Sequence, residues 1–275
     1  MTEELKKKLI ELALKYEVSA FCENDPSQFL RWYKPETKEN PVCACVADVE
    51  TAAFLAAMLA FGSRRQFIPK IKEILTLADS TSGTITRWLI TGTYKKTFPS
   101  GTKKFYRFYS YDDMQIFFEE LAELLMCVKR EEKPGTEQSN TKETEFASLG
   151  NFFRKHKTKD KELSAVIAEA FPKSAIVPKG HNGANKRIHM FLRWMVRRTS
   201  PVDLGLWQWV DPAELLIPLD VHVMQEAQRL GLIVPGAAAT RKTALQLTEQ
   251  MAQVFPSDPC RGDFALFGLG IDSIM

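Results

Sequence analysis

The sequence of 275 residues predicts an all-α protein, and three observations lead to that prediction. Apolar residues recur at helical spacing through most of the chain. Asp and Thr, which favour helix starts, stand immediately before several of these apolar runs. No stretch alternates apolar and polar residues between hairpin signals, as a half-buried strand would.

Five segments have the apolar spacing of amphipathic or buried helices: residues 4–16, 49–61, 66–77, 113–128 and 240–254. The second of these, VETAAFLAAMLAF, is almost entirely apolar, which indicates a fully buried helix. We expect Asp48 to cap its start and Gly62 to end it. Thr240 is expected at the start of the last helix.

Residues 129–145, KREEKPGTEQSNTKETE, contain no large apolar side chain. Such a segment cannot bury enough apolar surface to order itself, so we predict a flexible linker or loop here. It would separate an N-terminal helical part, residues 1–128, from a C-terminal helical part, residues 146–275.

The chain has the features of a cytoplasmic protein. No stretch approaches the roughly 18 consecutive apolar residues of a membrane span, and we expect no membrane partner. The N-terminus mixes charged and apolar residues and lacks the pattern of a secretory signal. The five cysteines are scattered without the spacing of a metal site, so we expect reduced thiols.

Basic residues are concentrated in residues 151–200, which carry 12 basic and 3 acidic side chains, a net charge of +9. A block of this kind suits a polyanion such as nucleic acid. The other interpretation is a solvated helix face, and the charge count alone does not decide between them.

Residues 178–199, PKGHNGANKRIHMFLRWMVRRT, combine a glycine turn with a helix. The apolar positions from Ile188 to Val196 follow the spacing of a buried helix face. Lys186 falls in the first turn of this helix, where the dipole disfavours a cation. Backbone N–H groups at such a turn and helix start suit a phosphate.

Residues 211–232 contain two further helix starts. Asp211, Pro212 and Glu214 form a typical short-helix start, which Pro218 ends. Asp220 then stands at the N-cap of another helix, which Gly231 closes. An N-cap aspartate contributes about 1 kcal/mol and needs no other role, so spacing alone favours a structural interpretation of Asp220.

The arrangement of a glycine hairpin, a lysine that begins the next helix and an aspartate in an L-D-V-H context resembles the helix-hairpin-helix DNA glycosylase superfamily. That superfamily includes endonuclease III and the archaeal 8-oxoguanine glycosylase/lyase. Longer segments resemble an uncharacterised bacterial family related to it: residues 48–67, 104–108, 186–207, 217–232 and 258–270. The resemblance implies two helical subdomains that flank a cleft.

The resemblance also implies a function and a set of site residues. Lys186 would be the Schiff-base nucleophile of a base-excision glycosylase with AP-lyase activity, and Asp220 the stabilising and activating carboxylate. An oxidised purine such as 8-oxoguanine is the expected substrate. The residues expected to contact DNA are Lys179, Gly180, His181, Asn182, Gly183, Asn185, Arg187, Arg193 and His222.

This chemistry needs an amine that attacks the sugar C1′ and a carboxylate that stabilises the cationic sugar. Cations near Lys186 and partial desolvation would favour its neutral, nucleophilic form. The reaction requires no metal or organic cofactor. The expected partner is double-stranded DNA that carries a damaged base or an abasic site, which places the protein at the nucleoid, with no obligate protein partner.

Other interpretations remain open at the level of sequence. The chain could be a non-catalytic helix-hairpin-helix nucleic-acid-binding protein, or its basic helix could bind an acidic partner. The hairpin residues could serve ordinary turn chemistry, and His222 could cap locally. The aromatic residues Phe191, Trp194, Trp207 and Trp209, and those of the run at 103–113, could stack on a base but fit a core better.

Overall fold

The computed structural model describes residues 1–33, 45–127 and 148–272. The predicted linker, residues 129–145, lies outside the described residues. Within these ranges the α-helices are α1 (Glu3–Tyr16), α2 (Val46–Leu59), α3 (Arg64–Ser82), α4 (Ile85–Ile90), α5 (Tyr94–Thr97), α6 (Tyr111–Cys127), α7 (Leu149–His156), α8 (Leu163–Glu169), α9 (Lys186–Val196), α10 (Val221–Arg229), α11 (Arg241–Ala252) and α12 (Arg261–Asp272). Short 3₁₀ helices span Ser19–Asn24, Pro26–Arg31 and Pro212–Glu214.

The described part of the chain is mostly helical, as the sequence predicts. It also contains a small antiparallel hairpin of β1 (Lys104–Tyr106) and β2 (Tyr109–Ser110), which the sequence analysis missed. These strands are too short for an alternating pattern to stand out. Arg107 at the turn adopts a left-handed φ of 50°, which only a tight turn explains at a non-glycine residue.

The start of α2 differs from the expected one. The helix begins at Val46 with Cys45 as N-cap, so Asp48 lies at the third helical position rather than at the cap. The Asp48 carboxylate accepts a hydrogen bond from the Cys45 backbone N–H at 3.1 Å, which completes a capping box. The helix ends at Leu59, before Gly62.

The chain forms two compact units whose boundaries differ from the expected division at 129–145. One unit combines residues 1–28 with residues 178–275, and the other consists of residues 29–177. We call them the terminal unit and the central unit. The terminal unit is assembled from both ends of the chain, because α1 packs against α12.

In the terminal unit, α12 is the central helix and packs on both α1 and α10. Two of its glycines allow this close approach. A Cβ at Gly268 would lie 2.1 Å from the Tyr16 ring, and one at Gly270 would lie 2.8 Å from the Cβ of His222. These glycines therefore set the distance of α12 from its neighbours on both sides.

In the central unit, α2 is the buried helix, and every residue from Thr51 to Leu59 is at most 1% exposed. Aromatic residues close the core beside it: Trp88, Tyr94, Phe98 and Phe118 pack edge to face with ring centroids 5.1–6.4 Å apart. The buried carboxylate of Glu120 accepts the backbone N–H groups of Lys173 and Ser174 at 2.7 and 2.9 Å. These bonds attach the last residues of the central unit to α6.

Candidate active site

Lys186 is the first residue of α9, as the sequence predicts. The residue before it, Asn185, adopts a left-handed φ of 43° and directs its side-chain amide back to the carbonyl oxygen of Gly180 at 2.8 Å. The Gly183 N–H donates to the same carbonyl at 3.3 Å. Two hydrogen bonds to the Gly180 carbonyl therefore hold the turn together immediately before α9 begins. This turn positions Lys186 at the start of the helix.

Asp220 caps α10, which confirms the structural interpretation of this residue. Its Oδ1 accepts the backbone N–H of His222 at 2.9 Å. The other oxygen, Oδ2, accepts a hydrogen bond from Nζ of Lys186 at 2.5 Å. Asp220 thus caps one helix and pairs with the cation at the start of another, and neither role excludes the other.

The Lys186–Asp220 pair is accessible to solvent. The Lys186 side chain is 34% exposed and that of Asp220 is 16% exposed. Burial by itself raises the pKa of the Asp220 carboxyl, but the Lys186 ammonium and the hydrogen bonds from Lys186 and the His222 N–H outweigh it and hold that pKa below its usual value. Asp220 is therefore an anion at neutral pH, with a cation at hydrogen-bond distance.

A second carboxylate influences this pair from α12. Burial raises the pKa of Asp263 to about 6; the Arg193 guanidinium opposes this shift, and the negative charge of Asp220 adds to it. Asp263 is 6% exposed and is hydrogen-bonded to Arg193. The site therefore combines an accessible ion pair with a buried one.

Most of the hairpin residues expected to contact DNA are on the surface. Lys179, Gly180, His181 and Asn182 are exposed, and Gly183, Asn185 and Arg187 are half-buried. The turn is held from outside as well: the Asn182 carbonyl accepts the Arg241 N–H at 2.9 Å, and Gly183 forms a β-bridge with Thr240. The start of α11 therefore supports the hairpin, which sequence analysis did not predict.

The prediction that Arg193 contacts DNA is wrong for the folded protein. Arg193 is 4% exposed and lies between the carboxylates of Asp203 and Asp263. A buried guanidinium needs such partners, because an unpaired buried charge is costly. Its neighbour one turn later, Arg197, is 1% exposed and pairs with Glu17, Asp203 and Asp258.

His222 is half-buried against the protein. Its ring packs edge to face against Phe267 of α12 with centroids 5.8 Å apart. Its Nδ1 is buried and has no hydrogen-bond partner in the described part of the chain. Nδ1 is therefore not available to a DNA phosphate, and the expected DNA contact by the half-buried His222 stays a prediction.

The acidic partners of the buried arginines are the site residues that sequence reasoning missed: Glu17, Asp203, Asp258 and Asp263. One signal could have pointed to three of them, Asp203, Asp258 and Asp263. Residues 201–275 carry 4 basic and 9 acidic side chains, so they complement the preceding basic block. Charge complementarity between two segments indicates pairing, although it cannot assign the partners.

Of the four aromatic residues near the hairpin and α9, three belong to the core. Phe191, Trp194 and Trp207 are at most 1% exposed. Trp209 is half-buried and stacks on Trp207 with centroids 5.6 Å apart and planes 24° apart. In the central unit, the run at 103–113 likewise buries Phe105, Tyr106 and Tyr109, while Phe108 is 58% exposed.

Residues 1–33, 45–127 and 148–272 contain no group of three or more His, Cys, Asp or Glu side chains placed to hold a metal ion. In the same ranges no helix is both long enough and apolar enough to cross a membrane.

Comparison with known proteins places most of the chain in one family. Residues 25–272 match the family model described as "Protein of unknown function (DUF2400)". No curated protein and no solved structure matches the chain. The match includes α9, α10 and α12, and therefore Lys186, Asp220 and Asp263. Because the family model covers far more than half of its length, this chain belongs to the DUF2400 family.

Proposed function

We propose that this protein is a DNA base-excision glycosylase with AP-lyase activity, in which Lys186 is the nucleophile and Asp220 the activating carboxylate. The 2.5 Å hydrogen bond between Lys186 Nζ and Asp220 Oδ2 carries the proposal. It supplies an amine and a proton acceptor in direct contact, at a place that solvent and substrate can reach.

The first step is a proton transfer within this pair. Lysine attacks carbon only as the neutral amine, so Nζ must pass a proton to Oδ2 or to water before it reacts. The existing hydrogen bond provides the path. The N-terminal end of the α9 dipole favours this transfer, because it disfavours a cation at Lys186.

The neutral amine then forms a bond to the sugar C1′ as the bond from C1′ to the base breaks. The base leaves with the bonding electron pair and takes up a proton. The secondary ammonium formed at Nζ loses a proton. The C1′–O4′ bond then breaks with its electron pair going to O4′, which takes up a proton, and a protonated imine between Nζ and C1′ results. Asp220, again an anion, lies beside this positive charge and stabilises it. Loss of a C2′ proton and of the 3′ phosphate would complete strand cleavage.

The exposed hairpin is suited to hold the DNA backbone. Lys179 and His181 present donors to solvent, and exposed glycine at position 180 lets a phosphate approach the backbone. The target base must leave the stack, at a cost of about a few kcal/mol, and an oxidised purine such as 8-oxoguanine is the substrate we propose.

Borohydride trapping tests the proposal. The full-length protein is incubated with duplexes that contain 8-oxoguanine, an oxidised pyrimidine or an abasic site, and borohydride reduces any imine to a stable amine. We expect a covalent protein–DNA adduct with the wild type and none with Lys186→Ala. Lys186→Arg is the matched control: it keeps the cation beside Asp220 but cannot form the imine.

An adduct that persists in both variants would refute the role of Lys186. The second candidate, a non-catalytic helix-hairpin-helix nucleic-acid-binding protein, has one observation in its favour: an ion pair that satisfies both charges also suits a purely structural role. Salt-sensitive binding of all three duplexes without any adduct would support that candidate and contradict the lyase.

A further inference from the structure

The exposed residues of the basic block belong to two different compact units. Arg193 and Arg197 are buried in ion pairs and cannot contribute to an external field. One exposed group is the hairpin of the terminal unit, which begins at Lys179. The other group, residues 154–161, belongs to the central unit and has no part in the site described above.

Helix α7 presents this second group because its other side is firmly held. Leu149 and Phe153 are fully buried, and the N–H of Gly150 donates to the buried carboxylate of Glu50 at 3.0 Å. A helix anchored by one face must expose the opposite one. Arg154 and Lys155 lie on that face and are exposed, and His156, the last residue of the helix, is exposed as well.

The helix dipole accounts for only part of this charge. Cations in the last turn of a helix are favoured, which explains Arg154 and Lys155. The chain continues beyond the helix with Lys157, Lys159 and Lys161, where the dipole no longer acts. Asp160 is the one acidic residue between 149 and 161, so the segment keeps a net charge of +4.

Part of this charge is engaged within the segment and with α8. Lys161 pairs with Glu169, and the Lys157 ammonium donates to the Thr158 carbonyl at 2.9 Å. Within the described part of the chain, neither Arg154 nor Lys159 has an ion-pair partner. These two cations are exposed, and so is Lys155, which lies between them in the sequence. Together they form a positive surface that faces solvent.

An aromatic stack stiffens the same surface. The exposed ring of His156 lies on Phe152 with centroids 4.1 Å apart and planes 25° apart, and its Nδ1–H donates to the Phe152 carbonyl at 2.8 Å. This fixes the end of α7 from which the basic residues project. A preorganised surface loses less side-chain entropy when it binds.

We propose that Arg154, Lys155, His156 and Lys159, here called the α7 surface, bind the phosphate backbone of duplex DNA. Their positive charge complements a polyanion, and contacts to phosphate carry no sequence information. The surface would add affinity for any duplex, damaged or not. The proposal rests on the proposed function only in its choice of DNA as the polyanion.

Salt dependence of binding tests the α7 surface. Fluorescence anisotropy measures the affinity of the full chain for an undamaged, labelled duplex over a series of salt concentrations. Each phosphate contact contributes about 0.9 to the slope of log K against log salt. The variant Arg154→Gln/Lys155→Gln/Lys159→Gln should therefore lower that slope by about 2 to 3.

The matched control, Lys7→Gln/Lys8→Gln/Arg87→Gln, removes the same three charges at exposed positions elsewhere and should leave the slope unchanged. The charge-retaining variant Arg154→Lys/Lys155→Arg/Lys159→Arg should also keep it. Equal slopes for the glutamine variant and the control would overturn the proposal. Because the probe is undamaged DNA, a missing borohydride adduct would refute the lyase without affecting this result.

Discussion

Lys186 and Asp220 lie 34 positions apart and meet through a single 2.5 Å hydrogen bond between Nζ and Oδ2. Each stands at the N-terminal end of a helix, Lys186 in α9 and Asp220 at the cap of α10. Helix dipoles favour the carboxylate and disfavour the ammonium at these places. The ion pair offsets the unfavourable position of the lysine, and removal of Asp220 exposes that cost.

Substitutions of Asp220 separate its two roles. Asp220→Asn keeps an oxygen that can accept the His222 N–H and loses the charge, so we expect a loss of no more than about 1 kcal/mol in the free energy of unfolding. Asp220→Ala also loses the cap and should cost about 1 kcal/mol more. Urea denaturation measures both values.

The same two variants should behave alike in the trapping experiment. Both lack the proton acceptor, and we expect adduct formation to slow by about 100-fold or more in each, because general-base catalysis contributes factors of that size. Adduct formation by Asp220→Asn at close to the wild-type rate would contradict a catalytic role for the carboxylate, because the rate would then follow the stability of each variant.

The ion pair also predicts a pH dependence of stability. The pKa of Asp220 is lowered in the folded protein, so its ionised form contributes stability at pH values above the unfolded pKa of about 4. That contribution is lost as the pH falls below about 4. The difference in unfolding free energy between wild type and Asp220→Asn should therefore shrink between pH 5 and about pH 3. A difference that stays constant over this range would be inconsistent with the shift.

Arg197 should be among the residues most important for stability. Its guanidinium is buried and binds Glu17 at 2.6 Å, Asp203 at 2.5 Å and Asp258 at 2.7 Å. Arg197→Met keeps much of the volume but removes the cation that these three carboxylates share. Arg193 still lies beside Asp203 and Arg261 beside Glu17, but Asp258 loses its partner, and the loss should cost about 3 to 5 kcal/mol. The exposed Arg87→Gln is the control and should change stability by less than about 0.5 kcal/mol. A loss below 1 kcal/mol for Arg197→Met would mean that the buried carboxylates are protonated or solvated.

Two glycines with the same backbone conformation test the role of close packing. Gly205 and Gly231 have φ values of +63° and +67°, so an alanine is strained at either position. At Gly205 the added Cβ would also lie 2.7 Å from Cα of Arg198, whereas at Gly231 nothing lies within 4 Å. We expect Gly231→Ala to cost about 1 to 2 kcal/mol and Gly205→Ala clearly more, as measured by urea denaturation. Equal costs would show that the Arg198 backbone shifts freely.

Local sequence was sufficient for the helices and their starts. The caps at Asp211, Asp220 and Thr240 all form as expected, because an N-cap depends on one side chain and the backbone that follows it within three residues. The buried face of α9 also follows from its 3.6-residue spacing. The pairing of Lys186 with Asp220 was expected from family resemblance rather than from spacing.

Tertiary structure decided which charges are available to a partner. Arg193 and Lys186 are both cations of α9, yet Arg193 is buried between two aspartates and Lys186 reaches solvent. Their partners are up to 70 positions away, and Arg261 reaches Glu17 across 244 positions. Sequence spacing carries no information on such distances. Burial and pairing of a charge depend on which elements pack together, so only the folded chain distinguishes a structural arginine from a candidate for binding DNA.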